Sequence, residues 1–308
     1  MTRTTRRKRI RRRMISTLPT LLTLGNLLCG FAAIFYAGRD PNVRHIFPAF
    51  TPLSIAAGFI FVGMVFDALD GRVARMTRNT SDLGEQLDSL ADMVCCGVAP
   101  AFLIIHLIGI GTPFFGVEPT PGEALARVDT MFDRAVLVVA GLYVACCGLR
   151  LARFNAEIDE PEEADHNSFK GMPSPAAAGT VAALVLVHQK LAGDAMISGS
   201  QALADAARAV AIGMVALTFL VAIAMVSNIR YVHFANRFLK GRAPFHTIAL
   251  VVVIGAVTMI EPPITIATLF IAYALSGPVG WLTGRARPQS DETDDDSSEP
   301  IPAGDPDS

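Results

Sequence analysis

The sequence of 308 residues is poor in charge. Only 18% of its residues are Asp, Glu, Lys or Arg, compared with about 25% in soluble proteins. By contrast, 52% of the residues are apolar, and the few charges lie between long apolar runs. This composition excludes a disordered chain, a collagen-like chain and a conventional nucleic-acid-binding protein, so no nucleic-acid partner is expected. It favours a membrane protein instead.

Cysteine patterns typical of zinc sites are also missing. The five cysteines lie in apolar stretches, and four of them form the sequence neighbours Cys95-Cys96 and Cys146-Cys147. Neighbouring cysteines cannot easily form a disulfide with each other, and no C-x-x-C or C-x-x-H spacing is present. We therefore expect small, buried helix-packing residues rather than metal ligands or redox groups.

Long apolar segments are abundant. A bilayer core about 30 Å thick requires about 20 apolar residues of helix. The first segment follows basic residues, as in a signal peptide, but it is longer than a typical signal and more spans follow it. The sequence predicts an all-α polytopic membrane helix bundle with about eight transmembrane helices, at residues 17–37, 48–69, 87–110, 132–153, 173–190, 206–228, 245–261 and 263–283.

The basic residues indicate an orientation. With the N-terminus in the cytoplasm, 20 of the 26 Lys and Arg residues fall on the inner side and six on the outer side. Cytoplasmic loops of membrane proteins retain an excess of Lys and Arg. We therefore expect both termini in the cytoplasm and a multi-pass protein of the cell (inner) membrane.

Three regions follow from this pattern. Residues 1–16 form a basic cytoplasmic leader, which either lies along the anionic inner leaflet or acts as an unstructured topology signal. Residues 17–285 form the membrane domain. Residues 286–308 form an acidic tail with too little apolar content to fold, so we expect it to be disordered.

Four acidic residues lie where membrane segments meet the inner loop. Asp67 and Asp70 are three residues apart at the end of the second span, and Asp88 and Asp92 are four apart where the third begins. These spacings place each pair on one helix face. Antiparallel packing of the two helices would bring the acidic faces together.

Converging carboxylates repel one another and are costly to bury alone. Oxygen ligands without nearby His or Cys select hard cations such as Mg²⁺ or Mn²⁺. Two such ions are a common arrangement for phosphoryl displacement. The small residues Gly71, Ala74 and Gly84 would let a phosphate or nucleoside approach the helices. The alternative is a set of solvated acids paired with nearby arginines.

The acidic stretch resembles the signature of the CDP-alcohol phosphotransferase family at every fixed position: Asp67-x2-Asp70-Gly71-x2-Ala74-Arg75-x8-Gly84-x3-Asp88-x3-Asp92. The resemblance implies a membrane enzyme that moves a phosphatidyl or similar group from a CDP-linked donor to an alcohol and releases CMP. It implies that the four aspartates hold two divalent metals and that Asp92 is also the catalytic base. The implied donor-binding residues, for CDP-diacylglycerol, are Gly71, Ala74, Arg75, Ser81 and Gly84.

Three further stretches resemble the branch of this family that uses L-serine as the acceptor alcohol. They are residues 18–30, residues 150–155 continued by 169–178, and residues 227–231. Arg150 and Arg153 are three apart, so both could face one pocket and bind a carboxylate. Asn155 and Ser174 could add hydrogen bonds to serine. Alternatively, the arginines fix the topology or bind lipid phosphates.

Other functions stay open at this stage. Glycerol 3-phosphate or inositol phosphate could be the acceptor in the same reaction. A divalent-cation transporter also uses acids within a membrane, although usually near the midplane, and a non-catalytic membrane scaffold would need no metal. A homodimer is typical of the family that the sequence resembles.

Overall fold

The computed structural model describes residues 3–39, 50–77, 82–111, 131–159, 168–232 and 255–283. Almost all of these residues are helical, as predicted. The longer elements are α1 (Arg3–Ala37), α2 (Pro52–Thr77), α3 (Asp82–Asp92), α4 (Ala99–Gly111), α5 (Met131–Asp159), α6 (Ser174–Ser198), α7 (Gln201–Val226) and α8 (Pro262–Leu282).

Seven helical runs in the described part of the chain are long and apolar enough to cross a membrane. They confirm a polytopic helix bundle. They are Leu18–Ala37, Pro52–Val73, Gly84–Gly109, Met131–Ala156, Ser174–Ser198, Gln201–Val226 and Pro262–Leu282. The remaining predicted span, 245–261, lies outside the described residues except for 255–261, of which 255–260 are helical.

Helix boundaries depart from the sequence prediction between α6 and α7. The predicted spans 173–190 and 206–228 leave a loop of fifteen residues, but α6 continues to Ser198 and α7 begins at Gln201. Gly199 ends α6 in the left-handed conformation, with φ at 66°, which glycine adopts without steric penalty. The helices therefore extend beyond the most apolar part of their sequences and join through a tight turn.

The third span contains a change of helix type. Between α3 and α4, residues Met93–Val98 form a π-helical segment, so the whole run from α3 to α4 is one continuous helix. Such wide turns are rare and occur often at functional sites. The segment begins directly after Asp92. Its position therefore affects where the last acid of α3 points relative to the helices behind it.

Small residues allow close packing around this π segment. A Cβ atom added to Gly30 of α1 would lie 2.9 Å from the backbone nitrogen of Cys95, and one added to Gly97 would lie 3.2 Å from the Cys147 sulfur. All five cysteines are buried and free of disulfides. The prediction that the cysteines pack helices together is confirmed.

A two-stranded antiparallel ribbon was not predicted. Strand β1 (Ser168–Lys170) pairs with β2 (Arg230–Val232), and Phe169 lies opposite Tyr231. Three-residue strands are too short to give an alternating pattern, so the sequence carried no usable signal. Gly171 follows β1 with φ at 87°, and a Cβ atom there would overlap the carbonyl oxygen of Met225.

The ribbon is attached to α8 through Tyr231. Its hydroxyl donates a hydrogen bond to the carbonyl oxygen of Ala274 at 3.2 Å. Burial, with a smaller effect from Tyr273, raises the pKa of Tyr231 to about 12. The hydroxyl therefore stays protonated and remains a donor at physiological pH.

Apolar side chains on the outside of the bundle fit a lipid environment. On α1, Leu21, Leu28 and Phe31 are each more than 60% exposed, whereas Ala33 and Ala37 on the inner side are fully buried. Helices that are apolar on both faces are typical of membrane spans.

Candidate metal centre and active site

Three of the four predicted acids converge. Asp67 comes from α2, and Asp88 and Asp92 lie one turn apart on α3. One carboxylate oxygen of each lies within 4.8 Å of the others. The spacing of four residues on α3 and the packing of α2 against the neighbouring helices together produce this group, which we call the carboxylate triad.

Asp70 lies beside the triad but has a different environment. The hydroxyl of Thr23 in α1 donates a hydrogen bond to Oδ2 of Asp70. Asp70 is buried, and it is close enough to Asp67 and Asp88 to interact with both electrostatically. The structure therefore places Asp70 next to the triad without adding it to the group of converging oxygens, and its role as a fourth metal ligand stays a prediction.

The triad has the chemistry of a cation site. Its donors are all carboxylate oxygens, which hard divalent ions prefer. Oδ1 of Asp88 is buried and has no hydrogen-bond partner among the described residues. A buried carboxylate oxygen without a partner is costly, and a bound cation would satisfy it and offset the repulsion among the three acids. The residues present therefore fit a divalent metal.

Asp92 also interacts with residues of α1 and α5. The side-chain amide nitrogen of Asn26 donates a hydrogen bond to Oδ1 of Asp92 at 2.9 Å. Arg150 attracts the same carboxylate electrostatically. Asp92 thus lies where α1 and α3 meet, in contact with a neutral donor, and it is weakly attracted by Arg150 of α5.

Thr23 and Asn26 are site residues to which the sequence analysis gave no role. Both lie within a stretch used there only as part of the family resemblance. The available signal was two polar residues, three apart, in a mostly apolar first span that also contains Thr17 and Thr20. That spacing puts both on one helix face, but their partners on α2 and α3 emerge only from helix packing.

The predicted donor-binding residues lie along the same two helices. Gly71 is exposed on α2, and a Cβ atom added to it would meet no protein atom within 4 Å. Ala74 and Arg75 continue α2, and Gly84 lies near the start of α3. Ser81 lies outside the described residues. Within the described part of the chain, the glycine at position 71 is therefore not required for side-chain packing, so space is left for a ligand.

The predicted serine-binding residues include two arginines that make hydrogen bonds within the protein. Nε of Arg150 donates to the carbonyl oxygen of Met172 at 2.6 Å. A guanidinium nitrogen of Arg153 donates to the side-chain oxygen of Asn228 at 3.1 Å. Ser174 is buried at the start of α6, two residues after Met172. Arg150 is the residue of this set that also exerts an electrostatic attraction on Asp92.

Asn155 reaches α3 directly. Its amide nitrogen donates to the hydroxyl of Ser89 at 2.9 Å, and Ser89 follows Asp88 in the chain. This bond fixes α5 against the acidic helix. Asn155 therefore supports the position of α3, the helix that carries Asp88 and Asp92.

Comparisons with known proteins agree with this site. Residues 16–204 match the family model described as CDP-alcohol phosphatidyltransferase. A protein from Helicobacter pylori named CDP-diacylglycerol–serine O-phosphatidyltransferase is 28% identical over 264 residues, which cover 86% of this chain and 90% of that protein. A protein of the same name from Bacillus subtilis is 30% identical over 217 residues, or 70% and 90% of the two chains. One from Saccharomyces cerevisiae is 39% identical over 132 residues, or 42% and 38%.

The fold and the triad define a multi-pass membrane protein whose acidic group can bind a metal. Because the matching family model spans more than half of the sequence, the chain belongs to the CDP-alcohol phosphatidyltransferase family and is an enzyme of that family. The resemblance inferred from the aspartate signature is confirmed. The matched region contains the triad, Thr23, Asn26 and Arg150.

Proposed function

We propose that this enzyme transfers the phosphatidyl group of CDP-diacylglycerol to the hydroxyl of L-serine and forms phosphatidylserine and CMP. The observation that carries the proposal is the convergence of Asp67, Asp88 and Asp92 within 4.8 Å, in a chain similar along most of its length to proteins named for this reaction.

Two divalent ions, Mg²⁺ or Mn²⁺, are the proposed cofactors. Asp67, Asp88 and Asp92 would hold them, and Asp70 would contribute from its place beside the triad. When bound, such ions neutralise phosphate charge and stabilise the oxygens that attack and leave in a displacement at phosphorus. The Oδ1 atoms of Asp70 and Asp88, which are buried and have no hydrogen-bond partner in the described part of the chain, support this assignment.

Asp92 is the proposed catalytic base. It would accept the proton of the serine hydroxyl while the serine oxygen bonds to the phosphorus that carries diacylglycerol. The bond between that phosphorus and the bridging oxygen of the pyrophosphate breaks, and CMP leaves with the electron pair. Direct attack is favoured because none of the fixed positions of the aspartate signature is a Ser, Cys or His that could act as a nucleophile.

Arg150 is the leading candidate for binding the serine carboxylate. Its electrostatic attraction on the Asp92 carboxylate supports this role, because a serine carboxylate bound to Arg150 would bring the serine hydroxyl toward the base. Arg153, Asn155 and Ser174 complete the proposed acceptor pocket. The contacts of Arg153 with Asn228 and of Asn155 with Ser89 suit the role of shaping that pocket.

The donor would bind along α2 and α3. Gly71, Ala74, Arg75, Ser81 and Gly84 are the proposed contacts for the cytidine and pyrophosphate of CDP-diacylglycerol. The open space beside Gly71 supports this placement. The acyl chains would remain in the bilayer, alongside the exposed apolar side chains of the bundle.

The proposed setting is the inner membrane, with the site facing the cytoplasm. The excess of Lys and Arg on the predicted inner side supports this orientation, as does the position of the acids near span ends rather than at midplane. The family resemblance also implies a homodimer. The basic leader at 1–16, the domain at 17–285 and the acidic tail at 286–308 keep the boundaries proposed from sequence.

An acceptor panel tests the proposed function. The purified enzyme receives CDP-diacylglycerol, Mg²⁺ or Mn²⁺ and one acceptor at a time, namely L-serine, glycerol 3-phosphate or inositol phosphate, and CMP release is followed. We expect release with serine. Faster release with either phosphorylated acceptor would assign a different alcohol.

The same protein in liposomes tests the other class of function. Mn²⁺ uptake without CDP-lipid, together with no CMP release from any acceptor, would indicate a cation transporter. Uptake no greater than in protein-free liposomes is the result expected for the enzyme.

A further inference from the structure

Asn26 is a fully buried polar residue in the first membrane span. Its amide nitrogen contacts Oδ1 of Asp92, and its amide oxygen is buried without a hydrogen-bond partner among the described residues. The amide nitrogen is therefore satisfied, whereas burying the amide oxygen without a partner costs free energy of folding. An apolar residue would avoid that cost, so the contact with Asp92 is the feature that explains an asparagine here.

Chemistry fixes which way the amide faces. A carboxylate can only accept hydrogen bonds, so an amide oxygen turned toward Asp92 would repel it. The nitrogen must face Asp92, and the oxygen then faces Gly63 of α2, where a Cβ atom would lie 2.9 Å from it. Glycine at position 63 leaves the space that this orientation of Asn26 requires.

The helix that carries Asn26 is also held firmly against the π segment. One turn further along α1, Gly30 packs so closely that a Cβ atom would lie 2.9 Å from the Cα of Cys95. Cys95 is three residues after Asp92. The donor on α1 and the carboxylate on α3 therefore cannot separate without opening this backbone contact.

We infer that Asn26 is a positioning residue that holds the Asp92 carboxylate turned toward Asp67 and Asp88. The inference rests on the proposed function in that it concerns the same site. Asn26 donates a hydrogen bond to one oxygen of Asp92 from the α1 side. This bond fixes the carboxylate in the one orientation in which it forms part of the triad.

Two substitutions separate a donor role from a packing role. Asn26→Leu keeps the branched shape and removes the donor, whereas Asn26→Ser keeps a donor and removes volume. Thr180→Val serves as the control, because Thr180 is a fully buried polar residue of α6 whose hydroxyl, among the described residues, donates to the carbonyl of Ala176 in its own helix. It is expected to leave the triad unchanged.

Two measurements are made on each purified variant. The first is Mn²⁺ affinity from the rise of Tm with Mn²⁺ concentration, which requires no turnover. The second is kcat and KM from CMP release. Residues that orient metal ligands typically change affinity or activity by about ten- to a hundredfold when removed. We expect losses of that size in Mn²⁺ affinity and kcat for Asn26→Leu, with both KM values unchanged.

The Ser variant decides between the two roles. The positioning role requires Asn26→Ser to retain more Mn²⁺ affinity and kcat than Asn26→Leu. Equal losses in the two variants, or wild-type Mn²⁺ affinity in Asn26→Leu, would overturn the inference. If the wild type released no CMP with any acceptor but Asn26→Leu still weakened Mn²⁺ binding, the proposed function would fail while the positioning role of Asn26 stood.

Discussion

The hydroxyl of Tyr143 on α5 donates a hydrogen bond to the carbonyl oxygen of Cys96 at 2.9 Å. Cys96 lies in the π segment that follows Asp92, and both partners are almost completely buried. The bond connects α5, the fourth membrane span, to the π segment that follows Asp92. It therefore links the packing of α5 to the position of Asp92.

Tyr143→Phe removes this donor and leaves the Cys96 carbonyl unpaired. We expect stability to fall by about 1–3 kcal/mol, the usual cost of a buried polar group left unsatisfied. We also expect kcat to fall, because the π segment adjoins Asp92. Thermal unfolding and CMP release measure the two effects.

The matched control is Tyr231→Phe. Tyr231 also donates to a carbonyl, that of Ala274, but it lies in the ribbon against α8. It should lower Tm with little effect on kcat. A kcat loss in the control equal to that of Tyr143→Phe would contradict a special link between Tyr143 and the site.

Asp92→Asn and Asp67→Asn should have different effects. Removing a general base typically lowers the rate by about 10²–10⁴-fold, so Asp92→Asn should nearly abolish turnover while retaining part of the Mn²⁺ binding. Asp67→Asn should weaken Mn²⁺ binding more strongly, because it removes the charge that α2 contributes to the triad.

Mn²⁺ affinity and CMP release, measured side by side on both variants, check this prediction. A fully active Asp92→Asn enzyme would remove Asp92 from the role of base. Mn²⁺ binding of wild-type strength in Asp67→Asn would remove Asp67 from the metal site.

Arg150→Ala tests the acceptor pocket. A hydrogen bond to a charged group contributes about 1.5–3 kcal/mol, so we expect the KM for serine to rise about ten- to a hundredfold. The KM for CDP-diacylglycerol should change far less. Equal changes in both values would assign Arg150 to phosphate binding instead. Arg153→Ala is the comparison, with a smaller effect expected because Arg153 lies against Asn228.

Two glycines of α2 should respond in opposite ways to a single methyl group. At Gly71 a Cβ atom meets no atom of the described residues within 4 Å, so Gly71→Ala should raise helix stability slightly, by up to about 1 kcal/mol. It should also raise the KM for the donor. At Gly63 the added atom would overlap the Cys95 sulfur and approach Asn26, so Gly63→Ala should destabilise the protein by about 1–3 kcal/mol.

Tm and donor KM for the two alanine variants check this pair. An unchanged donor KM in Gly71→Ala would show that the open space at that position is not used by the substrate. A wild-type Tm in Gly63→Ala would show that the helices can shift apart there without loss.

The parts of the site that could be predicted from sequence are those with local spacing. Asp88 and Asp92 share a helix, so a separation of four residues was enough to place them together, and the antiparallel arrangement of adjacent spans brought Asp67 near. Thr23 and Asn26 act across helices. Their partners depend on the rotation of α1 about its axis. That rotation cannot be predicted from a span in which most residues on every face are apolar.

The fold shows the same limit. Long apolar runs predicted the membrane helices because burial in lipid requires about 20 such residues. The π segment at Met93–Val98 precedes Pro100, which has no N–H to donate to the carbonyl of Cys96 four residues earlier. Tyr143 of α5 donates to that carbonyl instead, and this tertiary contact could not be read from the sequence. The ribbon of β1 and β2 is likewise held by distant partners, with Tyr231 bonded to α8.

The balance of products formed from CDP-diacylglycerol and L-serine tests the proposed phosphatidyl transfer most directly. Phosphatidylserine and CMP are quantified together with Mn²⁺ present, after chelation, and after Mn²⁺ is restored. The proposed reaction at the carboxylate triad predicts equal amounts of the two products, loss of both on chelation and recovery of both with Mn²⁺. Phosphatidylserine formed without a divalent ion, or without matching CMP, would contradict it.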